Sequence, residues 1–238
     1  MLNRDRLIVA LDVSSAAQAR QIVQSIGESA ITYKVGKQLF TAEGPQIVRD
    51  LVASGRKVFL DLKFHDIPNT VAGAVTEAAK LGVSMLTVHA SGGGQMLKAA
   101  ADAAAQSPAK PMVLAVTVLT SLTDADLAQI GFRGDVITEV ITLGSLARNA
   151  GCGGLVASAM EARELRRELG EEIAIVTPGV RPAGASAGDQ ARVVTPKEAI
   201  AAGATYLVVG RPILEAADPS RAADAIVNEI GEVRPLPV

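Results

Sequence analysis

A chain of 238 residues has the length of one barrel of eight strand–helix units and exceeds most smaller domains. Apolar residues make up 49% of it and mean hydropathy is positive, which supports a sizeable core and excludes a largely disordered chain. The formal charge of −2, with acids and bases mixed along the chain, excludes a basic nucleic-acid binder or a polybasic membrane-surface protein.

Tryptophan is absent, so the core is built from Ala, Val, Leu and Ile, which suit parallel strands buried on both faces. Cys152 stands alone and cannot form an internal disulfide. Two histidines and one cysteine exclude a zinc site of common spacing, and no metal site is expected. The first residues enter a short strand-like run too quickly for a signal peptide or membrane span, which predicts a cytoplasmic protein.

In chain order, strands are predicted over 7–13, 31–36, 57–63, 84–90, 111–119, 154–159, 174–179 and 206–213. Helical periodicity fills 16–26, 41–53, 71–81, 95–106, 136–150, 161–169, 196–202 and 220–230 between them. Several of these stretches end in glycine, among them Gly27, Gly82 and Gly170. Eight alternations without a linker predict an α/β chain with one domain over 1–238, a (β/α)8 TIM barrel, rather than a doubly wound open sheet.

In such a barrel, chemistry sits at the C-terminal ends of the strands. Those ends read Asp12, Lys34, Asp61 with Lys63, His89, Thr120, Ser158, Pro178-Gly179 and Gly210-Arg211. Buried charges must pair with one another or with a ligand. Strand alternation puts Asp61 and Lys63 on one face, with Leu60 and Leu62 on the other. The pair is then either an array at the barrel mouth or a surface ion-pair cluster at a strand exit. Asp66 follows on the loop.

Seven motifs occur in order, each at a predicted strand end or the loop after it: LDV (11–13), KVG (34–36), DLKFHDIPNT (61–70), VLTS (118–121), PGVRP (178–182), GDQ-x-R (188–192) and VVGRPI (208–213). Together they resemble the orotidine 5′-phosphate decarboxylase family, bacterial type, across essentially the whole chain. The resemblance implies loss of CO2 from orotidine 5′-phosphate to give uridine 5′-phosphate, the last step of de novo pyrimidine nucleotide synthesis, without metal or cofactor. It implies that Asp12 binds ribose hydroxyls and that Lys34, Asp61, Lys63 and Asp66 form an alternating charge network. It further implies a homodimer in which Asp66, Ile67 and Thr70 cross to the other subunit's site. Thr120 would meet the pyrimidine edge. Gln190, Gly210 and Arg211 would hold the phosphate, with Arg181 on the same side and Pro178 among the substrate contacts.

Decarboxylation at C6 leaves electrons in the ring plane, outside the π-system, so stabilisation must come from a fixed positive charge. Lys63 is the candidate charge and proton donor. The stretch 180–194, rich in Gly, Ala and Ser, is long enough to be functional, and its expected role is closure over the phosphate. Structural roles are expected for His65, His89, Phe40, Phe64 and Phe132. A tight turn is expected at Ser91-Gly-Gly-Gly94, which lacks the Lys-Ser/Thr of a phosphate loop. Two rival readings are a magnesium-dependent sugar-phosphate decarboxylase or aldolase of the same barrel type, which also carries D-x-K-x-x-D, and a non-enzymatic phosphate-binding barrel.

Overall fold

The computed structural model describes residues 1–182 and 194–233. Eight strands, β1 (Leu7–Ala10), β2 (Thr32–Gly36), β3 (Lys57–Phe64), β4 (Met85–His89), β5 (Met112–Val116), β6 (Gly154–Val156), β7 (Ala174–Thr177) and β8 (Tyr206–Val209), pair in sequence order. All are parallel, and β8 returns to β1 to close the barrel. Parallel neighbours need crossovers, and helices supply them. The crossovers are α1 (Ala16–Ile26), α2 (Lys37–Glu43), α3 (Gln46–Ala53), α4 (Pro68–Lys80), α5 (Gly93–Gln106), α6 (Asp124–Gln129), α7 (Val136–Asn149), α8 (Ala159–Leu169) and α9 (Pro196–Ala201), while α10 (Arg211–Leu214) and α11 (Pro219–Gly231) follow β8.

The strands carry apolar residues on both faces, and the two faces feed different cores. In β1, Leu7 and Val9 join the layer between sheet and helices, while Ile8 and Ala10 point into the barrel with Phe59, Met85, Leu114, Val176 and Val208. The helices bury one stripe each. Helix α1 buries Ala16, Ala19, Val23 and Ile26 at steps of three and four, and Ser15 caps it by accepting from the Gln18 N–H. Phe40, Phe64 and Phe132 pack against the outer core, as expected.

Several expected boundaries shift. The helix expected over 41–53 is two helices, because Gly44, with φ of 67°, and Pro45 break the ladder between them. Helix α6 arises from a capping box between Thr123 and Asp126 that the periodicity did not register. The strand expected to run to residue 213 stops at Val209, and Arg211–Leu214 is helical. Pro212 has no N–H for a ladder and suits the first turn of a helix. Strands β1, β5 and β6 also end earlier than expected, so Asp12, Thr120 and Ser158 stand on the loops at the mouth.

Candidate active site

The site begins with an irregularity in β3. Leu60 pairs with Leu86, but the next registered pair is Phe64 with Val88, so four residues of β3 advance against two of β4. Within the bulge Lys63 takes φ of 54°, a left-handed conformation that costs a side-chain-bearing residue roughly 1–2 kcal/mol. Leu62 and Phe64 turn to the helix layer, while Asp61 and Lys63 meet at the mouth, with Lys63 Nζ donating to Asp61 Oδ1 at 2.7 Å. The shared face expected from alternation is reached through a bulge.

A line of alternating charge runs from the loop after β1 across β2 to β3. Lys34 Nζ donates to Asp12 Oδ1 at 2.9 Å and lies 3.7 Å from Asp61 Oδ2, and Asp61 then holds Lys63. The side chains of Lys34 and Asp61 are only 11% and 13% exposed, so neither could keep its charge cheaply without the other. Gly36 sits close to this line: a Cβ there would stand 3.0 Å from Lys34 Nζ and 3.4 Å from Asp12 Oδ1, so the lysine end would have to give by a few tenths of an ångström. Burial alone would push the Asp61 carboxyl up. Lys34, Lys63 and the hydrogen bonds from Lys63 and Thr87 outweigh it and hold the carboxyl below its ordinary value.

Two compartments open beside this line. The outer one, about 990 Å³, is lined by Asp12, Lys34, Pro178, Arg181, Gly210 and Arg211. The inner one, about 210 Å³, has Lys63 and Thr120 on its rim and Phe59, Val116, Val156 and Val176 as its floor. Lys34, Asp61, Pro178 and Val208 border both. A flat, weakly polar ring suits the inner compartment, and an anion suits the side with two guanidinium groups. Arg181 is 7% exposed, and its buried Nε meets no acceptor among the described residues.

Of the residues singled out from sequence, Asp12, Lys34, Asp61, Lys63, Thr120, Pro178, Arg181, Gly210 and Arg211 come together here. Asp66, Ile67 and Thr70 do not join them within one chain. The Asp66 carboxylate accepts from the Ile67 N–H at 2.6 Å, and Ile67 is 67% exposed. Thr70 is exposed on the first turn of α4. Gln190, with most of the stretch 180–194, lies outside the described residues; Val180 and Val194 at its ends are paired. His65 and His89 face each other with ring centroids 5.4 Å apart. Ser91–Gly94 forms the expected tight turn, where a Cβ on Gly92 would collide with the Met96 sulfur. No group of three or more His, Cys, Asp or Glu is placed to hold a metal ion among the described residues, and none of their helices is long and apolar enough to cross a membrane.

Sequence reasoning missed Thr87. It is fully buried on β4, donates to Asp61 Oδ1 at 3.0 Å and accepts from the Lys63 N–H at 2.9 Å. The signal was a polar residue inside the apolar run Met85–Val88, two before the strand-end His89, hence on the same face.

Comparison with known proteins gives a consistent set of likenesses. The profile described as the orotidine 5′-phosphate decarboxylase / HUMPS family matches residues 5–226. The orotidine 5′-phosphate decarboxylase of Idiomarina loihiensis is 51% identical over 227 residues, covering 95% of this chain and 98% of that protein. That of Rhodopseudomonas palustris is 53% identical over 232 residues, covering 98% and 96%. The crystal structure of orotidine 5′-phosphate decarboxylase from Lactobacillus acidophilus superposes with a TM-score of 0.86 at 40% identity, covering 95% of this chain and 99% of that one.

Proposed function

This chain belongs to the orotidine 5′-phosphate decarboxylase / HUMPS family, and from that membership we infer that it converts orotidine 5′-phosphate to uridine 5′-phosphate and CO2, the closing step of pyrimidine nucleotide synthesis. The chain acts as one domain, and the reading requires no metal or cofactor. We place the reaction in the cytoplasm.

The pyrimidine enters the inner compartment over its apolar floor, with Thr120 at its edge. Asp12 and Lys34 take the ribose hydroxyls. The phosphate lies toward Arg181, Gly210 and Arg211, where two guanidinium groups and a side-chain-free backbone suit an anion. Pro178 lines the passage between the two. Gln190 joins the phosphate contacts in this reading.

The C6–carboxylate bond breaks, CO2 leaves, and the electron pair stays on C6 in the ring plane. The Lys63 ammonium stabilises that pair and then gives C6 its proton. The observation that carries this assignment is the position of Lys63: it lines the inner compartment and its Nζ is held 2.7 Å from the Asp61 carboxylate. Asp61 also faces the substrate carboxylate, and their repulsion favours its departure.

Removing the group that both stabilises and protonates C6 should lower turnover by more than about 10⁴-fold in Lys63→Ala, with a much smaller loss of affinity for uridine 5′-phosphate. The assay is the fall of orotidine 5′-phosphate absorbance. A folded Lys63→Ala protein with near-normal turnover sinks the assignment. We also propose that the site is completed by a second copy, whose Asp66, Ile67 and Thr70 reach across. The exposure of Ile67 on the loop just after Lys63 supports this.

A further inference from the structure

We propose that Thr87 is a positioning residue for this reaction, its solvent-free hydroxyl locking the Asp61 carboxylate and the Lys63 backbone into one rigid unit. The proposal rests on the reading of the site given above.

The bulge in β3 creates a problem that Thr87 solves. Between the pairs Leu60–Leu86 and Phe64–Val88 the ladder is interrupted, and a Lys63 N–H without a partner would be costly at a half-buried position. The Thr87 hydroxyl accepts that N–H at 2.9 Å while Lys63 holds its left-handed φ of 54°. A hydroxyl has one proton and two lone pairs, so the same oxygen can still donate, and it does so to Asp61 Oδ1 at 3.0 Å. One side chain therefore stabilises the strained backbone of the proton donor and the orientation of its neighbouring carboxylate.

This grip differs in kind from the ion pairs around it. Lys34 and Lys63 reach their partners through long side chains with many rotamers, and an incoming substrate anion competes for both. Thr87 is short, β-branched and 0% exposed, and it lines neither compartment. Its bond to Asp61 is therefore present before and after substrate enters. When the substrate carboxylate repels Asp61, rotation of Asp61 would relieve the repulsion, and the Thr87 bond opposes that rotation. The loss of this bond should then be felt in turnover more than in binding. It should also raise the pH at which Asp61 takes up a proton, since Thr87 is one of the groups holding that carboxyl down.

The test compares Thr87→Ser, which keeps the hydroxyl, with Thr87→Val, which keeps the shape, using the full chain and orotidine 5′-phosphate. Misplacing reacting groups slightly costs on the order of 10²-fold, so kcat of Thr87→Val should fall by about that factor while KM moves less than about threefold. The acid limb of its pH–rate profile should move to higher pH. Thr87→Ser should stay within about fivefold of the parent. If Thr87→Val does not fold, Thr87→Ala carries the same comparison, because it removes the hydroxyl without adding apolar bulk. Equal turnover in the Ser variant and either folded hydroxyl-free variant overturns the proposal, as does a loss confined to KM. A parent chain that does not decarboxylate orotidine 5′-phosphate would instead refute the functional reading, which separates the two failures.

Discussion

His89 ends β4 beside the charge line, and its surroundings set its protonation. Burial pushes its pKa down from the ordinary value, and the electrostatic influence of His65, Lys63 and Lys37 pushes the same way, against Asp61. The neutral ring is therefore the folded form at neutral pH. A base whose folded pKa is depressed contributes stability that is full above its unfolded pKa, about 6.5, and is lost as pH falls through the lower folded value. We expect the melting temperature of the protein to decline on acidification below about pH 6.5, and His89→Gln to make that decline shallower, because glutamine does not charge. Thermal melts of parent and variant across that window decide it. Parallel curves would show that His89 is not responsible. Cys152 behaves oppositely: burial pushes its thiol up to about 12, so it stays protonated and unreactive.

Among the elements, α8 buries Ala162, Leu165 and Leu169 and is further tied down by Arg166 at the end of the barrel away from the mouth. Arg166 donates to the carbonyls of Gly203, Gly170 and Ile173 and to the Thr205 hydroxyl, at 2.9, 3.1, 2.7 and 2.7 Å. It thereby ties α8 to the segments entering β7 and β8. Its side chain is 11% exposed, so removal leaves several acceptors without a donor in a place water reaches poorly. Arg166→Met should lower unfolding free energy by about 2–4 kcal/mol in urea titration, with part of the loss returned by relief of repulsion from Arg6. Its kcat/KM should stay within about twofold of the parent, because the mouth is untouched. A tenfold fall in kcat/KM in the folded variant would mean that the barrel transmits strain along its length. The same scale explains what was legible beforehand. Strand order and most helices follow from alternating apolar runs, and the mouth residues Asp12, Lys34, Asp61 and Lys63 follow from their place at strand ends. The bulge in β3 has no such signature: Asp-Leu-Lys-Phe alternates like an ordinary strand, and only the partner strand reveals the extra residues. Thr87 stayed hidden for the same reason, since its role depends on a register break in another element. The strand expected over 206–213 ends at Val209 because Pro212, which cannot donate to a ladder, sits in the first turn of the helix Arg211–Leu214.

The closed barrel constrains how whole molecules associate. All eight barrel strands are paired on both sides, so among the described residues the barrel leaves no edge free to add a strand from another chain. Association must use helix faces and loops, and the loop carrying Asp66 and Ile67 is exposed beside the strand that carries Lys63. If each site takes Lys63 from one chain and Asp66 from the other, two inactive proteins can rescue each other. Homodimers of Lys63→Ala or of Asp66→Ala have no intact site. A mixed dimer has one site with both groups and one with neither. Unfolding the two variants together in urea and refolding them at equal concentration makes about half the dimers mixed, so activity should rise to about a quarter of the parent's. The mixture should also lose activity on dilution as dimers dissociate. Activity no greater than the sum of the separate variants would place Asp66 in its own chain's site or outside the chemistry. The exposed Asp66–Ile67 turn would then need another explanation than a shared active site.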